Sequence, residues 1–136
     1  KLVEDGYETI HVGDASVGVS VVTNAYSSRP VVGAGELRPE GDVSIILTHQ
    51  PSAEFVEQVS KSGPTLMLSG HTHGGQVGLN WFGYHLNASS FETPYVSGIY
   101  RLGGLILSVT NGLGLTLAPF RYLAPAEITL LTLRSA

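Results

Sequence analysis

A chain of 136 residues with 43% apolar and only 13% charged side chains has the size and hydrophobicity of a single folded domain, and that balance excludes a disordered chain. A net charge of −4, with seven lysines and arginines scattered along the sequence, argues against a nucleic-acid surface. The absence of cysteine rules out disulfides and thiolate ligands, so any metal site must be built from nitrogen and oxygen.

No apolar run approaches the ~18 residues of a membrane span and no signal peptide is visible. The chain begins at Lys1 rather than methionine, which leaves room for an N-terminal region upstream. Lys1–Gly6 reads as the end of a helix running into a glycine stop. Tyr7–Val12 alternates and is β-like, Gly13–Ser16 is a turn, and Val17–Thr23 is a second strand, so the three read as a hairpin. His11 sits among polar neighbours and reads as an exposed strand histidine rather than a ligand. Asn24–Gly35 has the Ser, Arg, Pro and Gly content of a loop; Asn24 reads as a turn former before it reads as a site residue.

Pro39–Asp42 turns the chain into the strand Val43–Thr48. Ser52 is placed to cap a helix whose apolar stripe is Phe55, Val56 and Val59, and Ser62-Gly63-Pro64 ends it. The strand Thr65–Ser69 follows. Strand, helix and strand in about 25 residues is the β-α-β arrangement of a parallel pair, and the fold class is therefore α/β. Gly78–Thr93, with Trp81, Phe82, Tyr84, His85 and Phe91 among Gly, Asn and Ser, shows little periodicity and reads as a long functional loop. It either walls a substrate pocket, touches a lipid interface or packs ordinarily. Tyr95–Arg101 and Leu105–Thr110 are strands joined by Leu102-Gly103-Gly104, and Glu127–Leu133 is a closing strand. The runs Ile45–Leu47, Leu66–Leu68, Leu105–Leu107 and Ile128–Leu133 are continuously apolar, as expected of strands covered on both faces.

The chemistry rests on histidine placement. His49 and His71 lie just past the C-terminal ends of neighbouring strands, where open α/β sheets place their ligands. On an extended segment residues i and i+2 point to one side, so His71 and His73 can address one face. Imidazole is the commonest protein ligand for transition metals, and the flanking glycines let a metal approach the main chain. His49, His71 and His73 are therefore the candidate metal ligands; hydrogen-bonded turn residues are the bland alternative. A cupin barrel also uses His-x-His but needs a glutamate a few residues on. Here Val77-Gly78-Leu79-Asn80 follow and the next is Glu92, so that fold is excluded. Asn111 and Gly112, after a strand, are candidates for the substrate side of the site, with a plain turn as the alternative.

Thr48-His49-Gln50-Pro51 and Gly70-His71-Thr72-His73 resemble the last two motifs of the calcineurin-like metallophosphoesterases. Leu68–Gln76, Tyr95–Tyr100, Asn111–Gly114 and Pro125–Leu133 are similar to that family's bacterial, often membrane-associated branch, which includes enzymes related to lipid-A-pathway UDP-diacylglucosamine hydrolases and phospholipid phosphodiesterases. The resemblance implies a four-layer α-β-β-α sandwich, of which this chain is the C-terminal half, with a mixed sheet and few helices. It implies two divalent metal ions (Mn, Fe or Zn), His49 and His71 on one and His73 on the other. The reaction implied is hydrolysis of a phosphodiester or pyrophosphate-type bond by a metal-activated hydroxide.

The family's earlier motifs are absent. Neither Gly13-Asp14 nor Gly41-Asp42 is followed by an aspartate three places on, no Asp has His two places later, and Asn-His never occurs. The whole chain, 1–136, is thus expected to be the C-terminal part of one such domain. The bridging aspartate and the acid/base histidine are expected in a missing N-terminal half, no catalytic residue is assigned here, and the fragment alone is expected to be inactive. Implied partners are that half, a phosphate-ester substrate, among them a lipid or nucleotide-sugar lipid, and a membrane surface met peripherally; the implied location is the bacterial cytoplasm or its membrane. A non-catalytic metal-binding or protein-interaction module that keeps only the histidine side of the site is the alternative.

Overall fold

The strand–helix–strand unit at the centre of the sequence is also the centre of the fold. In the computed structural model, which describes residues 5–23, 41–82, 84–116 and 118–134, the chain runs β1 (Gly6–Val12), β2 (Ala15–Val22), β3 (Val43–Thr48), α1 (Ala53–Ser60), β4 (Thr65–Ser69), β5 (Gly78–Trp81), β6 (Tyr84–Asn87), β7 (Gly98–Leu102) and β8 (Leu105–Val109). Six strands form one mixed sheet in the order β1-β2-β3-β4-β8-β7. The inner strands β2, β3, β4 and β8 are parallel, and β1 and β7 close the edges antiparallel. The Val, Ile and Leu runs occupy the inner strands, as buried parallel strands require.

Helix α1 covers one face. Its first turn is fixed by Ser52, whose hydroxyl accepts from the Phe55 N–H at 3.3 Å, and by Glu54 near the positive end of the helix dipole. Eight residues do not hold a helix in water unaided; burial does, because Phe55, Val56 and Val59 are almost fully enclosed with Ile46, Met67, Leu105, Leu107 and Val109. The helix stops at Lys61, and Gly63, at φ 101°, turns the chain into β4.

The opposite face differs from the sequence expectation. In β4, Thr65, Met67 and Ser69 are buried while Leu66 and Leu68 between them are only partly so, and Leu47 and Ile106 on the same face remain 37% and 38% exposed. These strands are covered on one face, not two. The apolar character of the uncovered side is nonetheless continuous across the sheet, through the registers Val19↔Ile45↔Leu66↔Ile106.

Three further expectations change. Gly78–Thr93 is not irregular: β5 and β6 form an antiparallel ribbon, with Leu79 opposite Leu86 and Trp81 opposite Tyr84, followed by a 3-10 turn at Ala88–Phe91. Glu127–Leu133 is extended but is not a strand. It has no ladder neighbour among the described residues, and Ile128 and Leu130 are 81% and 90% exposed. The strand expected at Tyr95–Arg101 begins only at Gly98, because the Tyr95 N–H is taken by the Thr93 hydroxyl and Thr93 in turn is tied to the Pro51 carbonyl. Of the expected helix end at Lys1–Gly6, residues 1–4 lie outside the described residues and Gly6 already belongs to β1. The expected loop Asn24–Gly35, with Asn24, and the start of the Pro39–Asp42 turn also lie outside them.

Candidate metal centre

Strands β3 and β4 release their histidines side by side. The His49 carbonyl accepts both the Gly70 N–H (3.2 Å) and the Ser69 hydroxyl (3.1 Å), so the exit of β3 is locked to the exit of β4. From there the backbone is left-handed at His71 (φ 69°), His73 (51°), Gly74 (65°), Gly75 (81°) and Gln76 (49°), with Thr72 alone in the right-handed helical region. The histidine pair therefore lies on a tight turn, not on the extended segment that the i, i+2 reading assumed. The outcome for the rings is the same: Thr72 turns inward, buried, and its hydroxyl donates to the Val96 carbonyl at 2.6 Å, while both imidazoles reach the cavity. Left-handed non-glycine residues cost of order 1 kcal/mol or more each and cluster where a structure must aim side chains. The two glycines are required sterically as well, since a Cβ on Gly74 would collide with the Asn111 amide and one on Gly75 with Asn87.

The three histidines line one open cavity of about 380 Å³ together with Thr72, Gln76, Ser89, Glu92 and Thr116. His49 Nε2 stands 3.0 Å from His71 Nδ1, the rings meeting edge to face. The other nitrogen of His71, Nε2, is 3.2 Å from the Glu92 carboxylate and 2.7 Å from the Gln50 amide. A histidine that gives one N–H to a carboxylate presents the other nitrogen as a lone pair. His73 Nε2 lies 2.7 Å from the Thr116 hydroxyl. Burial holds the His73 pKa below the usual imidazole value, helped by the Arg121 charge and by the other two histidines, with the Gly114 backbone opposing. The ring is therefore neutral, as a ligand must be, near pH 7.

A divalent ion fits His49 and His71. With metal–nitrogen bonds of ~2.0–2.1 Å, adjacent ligands on one ion lie about 3–3.4 Å apart, and these two nitrogens are at 3.0 Å. The set is partial: among the described residues no group of three His, Cys, Asp or Glu side chains is close enough to hold an ion, His73 being turned to Thr116. Asn111 and Gly112 stand behind the turn rather than on the cavity wall. Asn111 is buried and donates to the Pro125 carbonyl; the Gly112 carbonyl accepts from Arg121 and from the Glu127 N–H. Trp81, Phe82 and Phe91 do not line the cavity and are 58%, 87% and 95% exposed. His11 is exposed on β1, as expected. Sequence reasoning missed Glu92, Thr116 and Arg121. Only the arginine left a signal, as a rare charge in an apolar, glycine-rich stretch.

Over 134 residues, 96% of this chain and 46% of the relative, the chain is 34% identical to a Bacillus subtilis protein described as the uncharacterized metallophosphoesterase YkuE. The chain belongs to the metallophosphoesterases. An uncharacterized metallophosphoesterase of Campylobacter jejuni is 39% identical over 92 residues, 67% of this chain and 23% of that one. A Danio rerio transmembrane protein with metallophosphoesterase domain is 34% identical over 99 residues, 71% and 21% of the two chains. The matched segments lie in the C-terminal part of these metallophosphoesterases, and the chain spans less than half the length of each. No family model and no solved structure matches. Among the described residues no helix is long and apolar enough to cross a membrane.

Proposed function

We propose that this chain is the histidine-bearing part of an enzyme that hydrolyses phosphodiester or pyrophosphate-type bonds with two divalent ions, Mn, Fe or Zn. The observation that carries the reading is the pair of imidazole nitrogens 3.0 Å apart at the ends of β3 and β4, with His73 on the same cavity. When bound, such ions neutralise phosphoryl oxygens and lower the pKa of a coordinated water, so no protein nucleophile is needed. His49 and His71 would hold one ion and His73 the other. Glu92 orients His71, and the Thr116 hydroxyl meets His73 Nε2. The bridging carboxylate, the asparagine ligand and the acid/base histidine would come from chain outside these residues. That part would also lay a second sheet over the uncovered face, completing a four-layer α-β-β-α sandwich.

We further propose a lipid or nucleotide-sugar lipid substrate and peripheral contact with a membrane, for a protein otherwise in the bacterial cytoplasm. The β5–β6 ribbon supports this: Leu79, Trp81 and Leu86 share one uncovered face, Phe82 projects from its turn, and no Asp, Glu, Lys or Arg occurs from Val77 to Phe91. Aromatic and aliphatic side chains on a neutral ribbon suit the membrane interface, and some relatives are named as transmembrane proteins. The second reading, a metal-binding or interaction module without catalysis, is favoured by the partial ligand set alone.

Hydrolysis of bis-p-nitrophenyl phosphate separates the two. Protein from the complete reading frame should turn it over with Mn or Zn and lose the activity in His71→Ala, while the 136-residue chain alone should not exceed free metal. Turnover by the chain alone that vanished in His71→Ala would overturn the division of the site. An inactive complete protein that still bound metal would leave the module reading.

A further inference from the structure

The histidine cavity has a carboxylate on its described wall, Glu92, and the fold holds it there from both sides. Ala88–Phe91 is a 3-10 turn that Asn87 opens by accepting the Ser90 N–H (3.0 Å). Glu92 closes the turn, its own N–H bonded to the Ser89 carbonyl at 3.0 Å. On one side the Ser89 hydroxyl donates to the carbonyl of Thr72, between the two histidines (3.0 Å). On the other the buried Thr93 hydroxyl donates to the carbonyl of Pro51, just past His49 (2.6 Å). The segment is thus pinned to the exits of both histidine-bearing strands, and the Glu92 carboxylate reaches 3.2 Å from His71 Nε2.

Nothing on the described wall supplies an entering phosphate with a permanent positive charge. Glu92 carries the one formal charge among the described lining residues, histidines aside, and no lysine or arginine occurs from Ser62 to Tyr100. Arg121 is not on that wall. It directs Nη1 to the carbonyls of His73 and Ala124, and Nη2 to those of Asn111, Gly112 and Gly114, so its fork of donors is not turned to a phosphate. A phosphate in the cavity therefore meets Glu92 in proportion to its own charge. At pH 8 a phosphomonoester is a dianion, since its second ionisation lies near ~6. A diester has no second proton to lose and carries a single negative charge.

We propose that Glu92 is a specificity-determining residue of this site: its carboxylate disfavours phosphates with two negative charges, and so selects diesters over monoesters and inorganic phosphate. The inference rests on the phosphoesterase reading above and narrows its substrate class. It is separable from the contact with His71, because orienting that ring acts on both esters alike, whereas the charge acts on the difference between them. The Glu92 side chain is 54% exposed, so water screens it. One further unit of substrate charge at about 7–8 Å is then worth a factor of about 3–10.

The test is made on protein from the complete reading frame, loaded with Zn²⁺ at pH 8. The ratio of kcat/KM for bis-p-nitrophenyl phosphate to that for p-nitrophenyl phosphate cancels differences in metal loading between variants. Glu92→Gln should lower this ratio about 3–10-fold. Glu92→Asp, which keeps the charge but shortens the reach to His71, should stay near the parent ratio. Asp14→Asn, in the β1–β2 turn at the opposite end of the parallel strands, should leave it unchanged. Calorimetry gives a readout independent of turnover: inorganic phosphate should bind zinc-loaded Glu92→Gln about 3–10-fold more tightly than the parent. An unchanged ratio in active Glu92→Gln, or an equal shift in Glu92→Asp, overturns the selectivity and leaves the phosphoesterase reading standing. If Glu92→Gln hydrolyses neither ester, phosphate binding decides, and an unchanged affinity overturns the selectivity. A parent that hydrolyses neither ester overturns the phosphoesterase reading, and the selectivity with it.

Discussion

Gly74→Ala is the sharpest probe of the histidine turn, because two separable penalties meet at one atom. Gly74 sits at φ 65°, where a Cβ costs roughly 1–2 kcal/mol. That Cβ would also enter the Asn111 side chain, and Asn111 is buried and anchored on the Pro125 carbonyl, so it yields only by strain of about 1–3 kcal/mol. The expected loss is therefore about 2–5 kcal/mol. Gly112 supplies the internal comparison: its φ is 62° and a Cβ there meets nothing within 4 Å, so Gly112→Ala should cost only the first ~1–2 kcal/mol. Urea unfolding of both variants, at unchanged m, gives the difference directly. Removing the obstruction in Gly74→Ala/Asn111→Ala should return part of the collision cost, less whatever the lost Asn111 hydrogen bond contributes. Equal losses in the two single variants would refute the collision; no loss in either would refute the left-handed turn.

Zinc binding should fall as pH drops through the histidine range near ~6.5, because protons compete for the ligand nitrogens, and calorimetry should show the loss at neutral pH in His73→Ala. His73 also couples pH to stability. Its folded-state pKa is depressed by burial and by Arg121, so below ~6.5 the unfolded chain binds the proton more readily and stability decreases with falling pH. Urea midpoints between pH 7.5 and 5.5 should show that slope, and His73→Gln should flatten it. Trp81→Ser/Phe82→Ser should abolish co-sedimentation with phosphatidylcholine–phosphatidylglycerol vesicles while leaving the unfolding midpoint within ~0.5 kcal/mol, as exposed side chains allow; unchanged co-sedimentation removes the ribbon from membrane contact. The isolated chain should self-associate through the uncovered face of Leu47, Leu66 and Ile106, since net charge −4 offers little repulsion. A monodisperse monomer with one cooperative transition would show instead that these residues already make a complete domain.

What the sequence showed best was whatever local chemistry decides. Ser52 before Phe55, Val56 and Val59 specified the cap and the buried stripe of α1, and the apolar runs ending at Thr48 and Ser69 marked the ends of β3 and β4. What it could not show was which faces find a neighbour. Leu66 and Met67 are equally apolar, yet only Met67 lies under α1. Ile128 and Leu130 read as a strand, but a strand exists only where another offers its edge. Glu92 reaches His71 across 21 residues and Thr116 reaches His73 across 43. Those meetings depend on how the ribbon and the loop after β8 fold back over the strand ends, and neither has a periodicity that would reveal it.

The order within the site comes from main-chain carbonyls more than from charge. His49 binds through its carbonyl to β4's exit, Thr72 anchors on Val96, and Arg121 ties His73 to Gly114. These attachments run to the exit of β4, to the segment just before β7 and to the loop after β8. The histidine turn can therefore hold its shape before the uncovered face is closed. Residues from outside the chain would then meet an already aimed pair of imidazoles, so the entropy of ordering these ligands is spent when this sheet folds and not when metal binds. A site assembled in that order should lose metal affinity when the cover is absent, through missing ligands, while the geometry of His49 and His71 is retained. Substitutions at Thr72 or Arg121 should do the opposite, degrading the aim of the imidazoles even when every ligand is present.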